Sequence, residues 1–554
     1  MALNNRDRSW LKDAVIYQIY PQSYYDSNGD GIGDLPGIIE KLDYIKELGV
    51  NVLWLNPCFD SPFFDAGYDV RDFYNIAPRY GTNDDMKRLC EEAHKRDLRV
   101  CLDLVAGHSS IDCEWFKQSG SEELSKYDDY YIWTNHWTKR GTDGSWIGGY
   151  APRNGTFQIN FFWSQPALNY GYANPDPANP WEQPVSAPGP QAVIAELKNI
   201  MRFWLNIGCD GFRVDMAQSL IKNDPDQSVV AKLWREELLP ELRVEYPYIA
   251  MIAEWGNPSV SLGQAEFDID FMMHFGVPGY GELFFKNPAV CGRETSGIAY
   301  FDKTGSGSLD VFLREYNKGK EHAAGKGRIS LPSANHDFQR LNYYRSDAEM
   351  KVAFAFLLTW PCVPSIYYGD EIGMKFLEET PNKEGAYTRA GSRTPMQWSG
   401  EINAGFSTAP ESQIYLPIDP NPARPNVAEQ VKNPASMYSF VKELLALRSQ
   451  HEALRADAEL EILSGEKKPY PLIYRRAAAG EEWIIALNPS GKPVECSVKN
   501  CRFATRHSPC PSSLRSESGT LNAVLNFGVS VNAAGETATF TLPPVSYGIF
   551  QQKS

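Results

Sequence analysis

The sequence predicts an α/β protein built on a closed parallel barrel of eight βα units, the (β/α)8 or TIM barrel. A small domain is inserted after the third strand, and an antiparallel β-domain follows at the C-terminal end. Three observations predict this. Strand-length apolar runs alternate with helix-period runs from Val15 onward, which places parallel strands inside and helices outside. Several of the strand runs end on a carboxylate. The alternation is lost once, near Ala106, and gives way to short strands alone after about Arg455. The expected boundaries are 1–105 and 173–455 for the barrel, 106–172 for the insert and 456–554 for a C-terminal β-sandwich.

Each element has its own signal. Val15-Ile16-Tyr17-Gln18-Ile19-Tyr20 is the first strand, Val50 to Leu55 the second and Arg99 to Val105 the third. Ile38, Leu42, Ile45 and Leu48 share one helix face, and Met86, Leu89, Cys90 and Ala93 another. From Ala106 to Tyr172 the chain is rich in Trp, Tyr, Asn and Gly without periodicity, too long for a plain loop. A helix carrying Val193, Leu197, Ile200, Met201, Trp204 and Leu205 then stops at Gly208. Gly211-Phe212-Arg213-Val214-Asp215 follows as a buried strand. Its Arg213 and Asp215, two residues apart, share a face, so the guanidinium can keep the carboxylate ionised and aimed. A last helix holds Met437, Phe440, Val441 and Leu444; Leu472–Tyr474, Trp483–Leu487 and Thr537–Leu542 are strands.

Between the first strand and its helix lies Asp26-Ser27-Asn28-Gly29-Asp30-Gly31-Ile32-Gly33-Asp34. Oxygen side chains at alternate positions, with glycines for tight bending, suit a hard cation. The expected ligands of a structural Ca²⁺, or Mg²⁺, are Asp26, Asn28, Asp30, the Ile32 carbonyl and Asp34. Position twelve of the loop is Gly37 rather than Glu, so it is not an EF-hand.

Carboxylates recur at strand ends: Asp103, with His108 soon after; Asp215; Glu254 after Tyr248–Ala253; and Asn335-His336-Asp337 after Ile329-Ser330-Leu331. In a parallel barrel these ends share one face, where crowded carboxylates push their pKa values apart. One nucleophile and one acid is what glycoside chemistry requires. A binuclear metal centre of His and Asp is the competing site, but no HxH pair or comparable metal spacing supports it.

Composition excludes other classes. A net charge of −15 disfavours nucleic acid or an anionic membrane as partner. No apolar run is long enough to cross a bilayer and no secretory core follows Met1. Ten cysteines without metal spacing, four of them (Cys58, Cys90, Cys101, Cys209) in apolar patterns, predict reduced buried thiols and a cytoplasmic protein. No organic cofactor is expected, and the chain is a monomer or a homo-oligomer.

In order along nearly the whole chain, these motifs resemble glycoside hydrolase family 13, the α-amylase superfamily, in its oligo-1,6-glucosidase and α-glucosidase branch. The matching set includes the Asp26–Asp34 loop, Gly67-Tyr68-Asp69, Asp103-Leu104-Val105, Gln165-Pro166-Ala167-Leu168-Asn169, Gly211–Asp215, Glu254, Asn335-His336-Asp337, Ile366–Met374 and Arg393–Trp398. The resemblance implies that Asp215 is the nucleophile, Glu254 the general acid and then base, and Asp337 the holder of two sugar hydroxyls. It implies that Arg213, His108 and His336 contact the nucleophile or the same sugar, that Tyr68 stacks beneath its ring, and that Asp65 and Arg393 close the pocket behind a terminal glucose.

The resemblance further implies a retaining exo-α-glucosidase that takes short α-glucosides such as maltose, isomaltose or sucrose from the non-reducing end. An intramolecular transglucosylase is the alternative, since Asn403-Ala404-Gly405-Phe406-Ser407 and Tyr415-Leu416-Pro417-Ile418 resemble trehalose synthases. A non-catalytic binding subunit is a third reading, disfavoured because all three carboxylates are kept. Three positions depart from the family pattern: Gly107 for Asn, Ala167 for Asp, and Met216 after the nucleophile, where Val or Ala would signal linkage preference.

Overall fold

A computed structural model describes residues 7–134, 136–141, 143–272, 279–286, 296–466, 469–499, 521–534 and 537–552. Eight parallel strands close a barrel: β1 (Ile16–Ile19), β2 (Val52–Leu55), β3 (Arg99–Leu104), β4 (Gly211–Val214), β5 (Ala250–Ala253), β6 (Ile269–Phe271), β7 (Arg328–Pro332) and β8 (Val363–Tyr367), in that order around the ring. These strands are short and almost wholly buried, which is why they read as continuous apolar runs rather than alternating ones.

The chain forms two compact units. The first comprises 1–272, 318–329 and 377–422. Here the register aligns the strand ends: Asp103 lies opposite Arg213, and Val214 opposite Ala253, so that Asp215 and Glu254 leave the sheet at one level. Gly211 has no alternative at its place, because a Cβ there would meet the Ala250 carbonyl oxygen at 2.1 Å. The helix expected around Ile38 to Leu48 is two helices, Leu35–Glu40 and Leu42–Leu48, parted at Lys41. Helix Asn83–Lys95 starts with a Thr82–Asp85 capping box, and Pro188–Ile207 ends at Gly208 with φ 130°. The 106–172 stretch holds a short helix, Glu114–Ser119, and a hairpin pairing Ser145–Gly148 with Thr156–Ile159.

The second unit comprises 273–317, 330–376 and 423–554. Its helix Asp347–Thr359 is buried from Met350 to Thr359 apart from Lys351, so it shows no amphipathic stripe. The C-terminal strands form two antiparallel sheets. One holds Glu459–Ser464, Leu472–Ala478, Glu481–Asn488, Ser546–Gln552 and Leu521–Phe527; the other holds Val494–Lys499, Thr537–Leu542 and Ser530–Ala534. Ile473, Ile484, Phe540 and Phe550 are in the core that these strands enclose.

Candidate active site

Arg213 is the hub of the site. Its Nη1 donates to Asp103 Oδ1 at 2.6 Å and to Asp215 Oδ1 at 3.0 Å, and its Nη2 meets Glu254 Oε2 at 2.7 Å. Three buried carboxylates thus share one guanidinium. Burial lowers the pKa of Arg213, but the surrounding carboxylates overcome this and hold it well above its ordinary value, so it stays charged. Burial and the charge of Glu254 push Asp215 well up, with Arg213 opposing. Asp103 is raised to about 6, mainly by burial. Three carboxyls around one cation therefore titrate as a coupled group rather than one by one. Arg213 and the Met216 amide, at 2.7 and 3.0 Å, both donate to Glu254 Oε2.

Tyr68 and Asn56 complete the wall. The Tyr68 hydroxyl donates to Asp103 Oδ2 at 3.0 Å and accepts from Asn56 Nδ2 at 3.0 Å, while Trp54 Nε1 donates to the same Asp103 oxygen at 3.1 Å. His108 joins through the main chain: its Nε2 donates to the Tyr68 carbonyl at 3.0 Å, so Nδ1 accepts from Asn160 Nδ2 at 3.2 Å. Burial lowers His108 to about 3, and the ring is neutral. His336 and Asp337 belong to the second unit, where Nε2 and Oδ2 are 3.2 Å apart.

Arg213 on β4, with Asp215 and Glu254 just past the ends of β4 and β5, brings the three charged groups together at one end of the barrel. The α-amylase catalytic-domain model matches residues 18–243 and 307–457. The chain belongs to the α-amylase family. Its curated relatives include an oligo-1,6-glucosidase from Parageobacillus thermoglucosidasius, 31% identical over 88% of this chain and 91% of that protein. A trehalose synthase/amylase from Mycolicibacterium smegmatis is 30% identical over 86% of this chain and 82% of its own. Among solved structures, an isomaltulose synthase mutant from Erwinia rhapontici NX5 in complex with D-glucose has a TM-score of 0.77 and 25% identity, covering 99% and 100% of the two chains. The protein is thus an α-amylase-family glycoside hydrolase, and its barrel carries the C-terminal antiparallel domain seen above.

In this α-amylase-family barrel, Asp65 accepts from Gln165 Nε2 at 2.8 Å and forms an ion pair with Arg389 at 3.7 Å. Arg389 escapes sequence reasoning: it lies four residues before Arg393, within a 3₁₀ segment that has no apolar periodicity. Arg393 is fully buried; its Nη1 is 3.4 Å from the Tyr20 hydroxyl and its carbonyl accepts from Ser23 Oγ at 2.6 Å. The loop that presents Asp65 is tightly wound, with Phe63 and Ala66 left-handed at φ 63° and 50°. Asp69 secures it by accepting the Phe64 and Asp65 amides, each at 2.9 Å. Gly107 is explained by space: a Cβ there would meet Asn160 Nδ2 at 2.7 Å and Ser219 Oγ at 2.9 Å. Buried Lys222 fills the same region, donating to Asn160 Oδ1 at 3.1 Å and the Ser219 carbonyl at 2.7 Å. Nothing in the structure explains Ala167. Met216 is left-handed at φ 42°, a strained turn directly after the nucleophile-type Asp215.

The Asp26–Asp34 loop is a ladder of side-chain turns. Asp26 accepts the Asn28, Gly29 and Gly31 amides, Asn28 accepts Asp30, and Asp30 accepts Ile32. Asp34 caps helix Leu35–Glu40 through the Gly37 amide and accepts from Ser27. Among the described residues no three His, Cys, Asp or Glu side chains cluster as a metal site. The donor set is nonetheless hard oxygen throughout, and Asn28 Oδ1 and the Ile32 carbonyl are of the type that calcium takes. Among the described residues no helix is long and apolar enough to cross a membrane.

Proposed function

We propose that the protein is a retaining exo-α-glucosidase acting on short α-glucosides from their non-reducing ends. In this reading Asp215 attacks the anomeric carbon and forms a glucosyl-enzyme. Glu254 protonates the departing oxygen and then deprotonates the water that releases glucose. Two inversions give net retention. Tyr68 and His108 line the ring, and Asp65 with Arg389 or Arg393 closes its far side; Asp337 and His336 are proposed to hold sugar hydroxyls. The observation that carries the reading is the single guanidinium of Arg213 bridging Asp215 and Glu254. The retaining reading takes their carboxyl separation to be the short one of double displacement, about 5–5.5 Å, rather than the about 6.5–9.5 Å that leaves room for a water.

Transglucosylation is the second reading, favoured by the trehalose synthase and isomaltulose synthase likenesses. The same glucosyl-enzyme serves both, and the acceptor decides. Tyr415, in the trehalose-synthase-like stretch, donates to Glu384 and lies 3.2 Å from the Tyr20 hydroxyl beside Arg393. Incubation with maltose, isomaltose, sucrose and trehalose, with every product identified, tests the proposal. Free glucose as the main product supports hydrolysis; an isomeric disaccharide formed without glucose release supports transfer.

The same proposal gives the Asp26–Asp34 loop one structural Ca²⁺, with Mg²⁺ as substitute, held by Asp26, Asn28, Asp30, Asp34 and the Ile32 carbonyl. The ion would stiffen the loop without entering the reaction. It also places the protein in the cytoplasm, as a monomer or homo-oligomer. The free thiols of Cys58, Cys90, Cys101, Cys113, Cys209, Cys362 and Cys496 support a reducing compartment.

A further inference from the structure

We propose that Asp270 is a positioning residue for the acid–base carboxyl of Glu254, acting through the turn that follows Glu254. The proposal rests on the reading of Glu254 as the acid–base. Asp270 sits on β6 opposite Ala253, the residue before Glu254. Its Oδ1 accepts from the main-chain N–H of Trp255 and of Gly256, each at 3.2 Å. Its Oδ2 lies 2.6 Å from Ser261 Oγ. The Glu254 peptide itself is tied to the β4 side: its N–H donates to the Val214 carbonyl at 3.1 Å, and its carbonyl accepts from Ala217 at 3.2 Å. The next two amides go to Asp270. The acid–base residue is therefore held from both sides of the barrel strand that carries it.

A carboxyl is an expensive choice for this position. Asp270 is fully buried, and among the described residues no lysine or arginine pairs with it. An apolar residue would suit a barrel strand better, unless the acceptor is needed. The hydrogen bonds also show how the cost is reduced. The Ser261 hydroxyl has one proton and two acceptors within reach, Asp270 Oδ2 and the Asn257 carbonyl at 3.0 Å. Both contacts are satisfied together when Asp270 is protonated on Oδ2 and donates to Ser261, which donates to Asn257. Burial raises Asp270 to about 7, in the same direction. A neutral acid in this role is isosteric with asparagine, whose amide would donate to Ser261 while its oxygen keeps both main-chain amides.

The test compares the unmodified chain with Asp270→Asn, Asp270→Ala and the volume-filling Asp270→Leu on two substrates. 4-Nitrophenyl α-glucoside needs little proton donation to its leaving group, and methyl α-glucoside needs it fully. The proposal predicts that Asp270→Asn keeps both rates. Asp270→Ala and Asp270→Leu should lose roughly tenfold or more on the methyl glucoside relative to the nitrophenyl one. Equal losses on both substrates, or a selective loss in Asp270→Asn, would overturn it. A crystal structure of Asp270→Leu reads the positioning without turnover. Glu254 Oε2 should leave Arg213 and the Met216 amide, and an unmoved carboxyl overturns the proposal. Failure of the unmodified chain to cleave either glucoside would instead overturn the functional reading.

Discussion

Arg213 Nη2 and Glu254 Oε2 meet at 2.7 Å, so the acid-type carboxyl is tied to the same guanidinium that grips Asp215. Removing that guanidinium leaves three buried carboxylates facing one another. Arg213→Met is expected to lose about 3–5 kcal/mol of stability at pH 7, mostly as uncompensated charge. Carboxyls raised in the folded state give stability that is present at low pH and lost as pH rises through their folded values. The variant should therefore regain stability as the pH is lowered from 7 toward 5. Urea denaturation at both pH values checks this, and activity should be lost at each.

His108 predicts the opposite slope. Burial takes it from its ordinary 6.5 down to about 3. Between those values the unfolded chain binds the proton and the folded one does not, so stability is full above pH 6.5 and falls as the pH drops toward 3. From pH 7 to pH 5 this group alone removes about 2 kcal/mol. His108→Asn should show that much less acid destabilisation than the unmodified protein over the same interval, by urea denaturation.

Much of this was legible in the sequence, and the reasons are local. The barrel strands are short apolar runs whose last or next residue is charged, as in Val214-Asp215 and Ala253-Glu254, so strand ends and chemistry were visible together. The contact of Arg213 with Asp215 follows from two-residue spacing on a strand. The contact with Glu254 depends on the register between β4 and β5, which no local pattern specifies. Arg389 and Asp270 were invisible for the same reason, since each acts on a residue far away or on another strand. The hairpin in the insert was missed because Ser145–Gly148 has a single buried residue, Trp146, which packs with Ile132, Tyr172 and Trp181.

Arg389 and Arg393 are both candidates for the pocket wall at Asp65. Asp65 pairs with Arg389 across 3.7 Å, while Arg393 is held against Tyr20. Arg389→Ala is expected to weaken kcat/KM for maltose by roughly tenfold with little change in thermal stability, the pair being partly exposed. Arg393→Ala, which empties a fully buried site, is expected to lower both. Melting temperature and maltose kinetics of the two variants distinguish them.

The loop beginning at Asp26 makes its own prediction. Chelation is expected to lower the melting temperature and leave the initial rate at moderate temperature unchanged, with Ca²⁺ restoring the lost stability by mass action. Asp30→Ala should abolish the response to both. A melting temperature indifferent to chelator and to added Ca²⁺ would remove the ion from the account.

The central claim is that Asp215 forms a bond to glucose. The direct measurement is mass spectrometry of the protein after incubation with 5-fluoro-α-glucosyl fluoride, whose glucosyl-enzyme turns over slowly. The account predicts one added fluoroglucosyl group, located after proteolysis on the peptide containing Asp215 and absent from Asp215→Asn. A label on another carboxylate, or an unlabelled protein that still hydrolyses maltose, would contradict it.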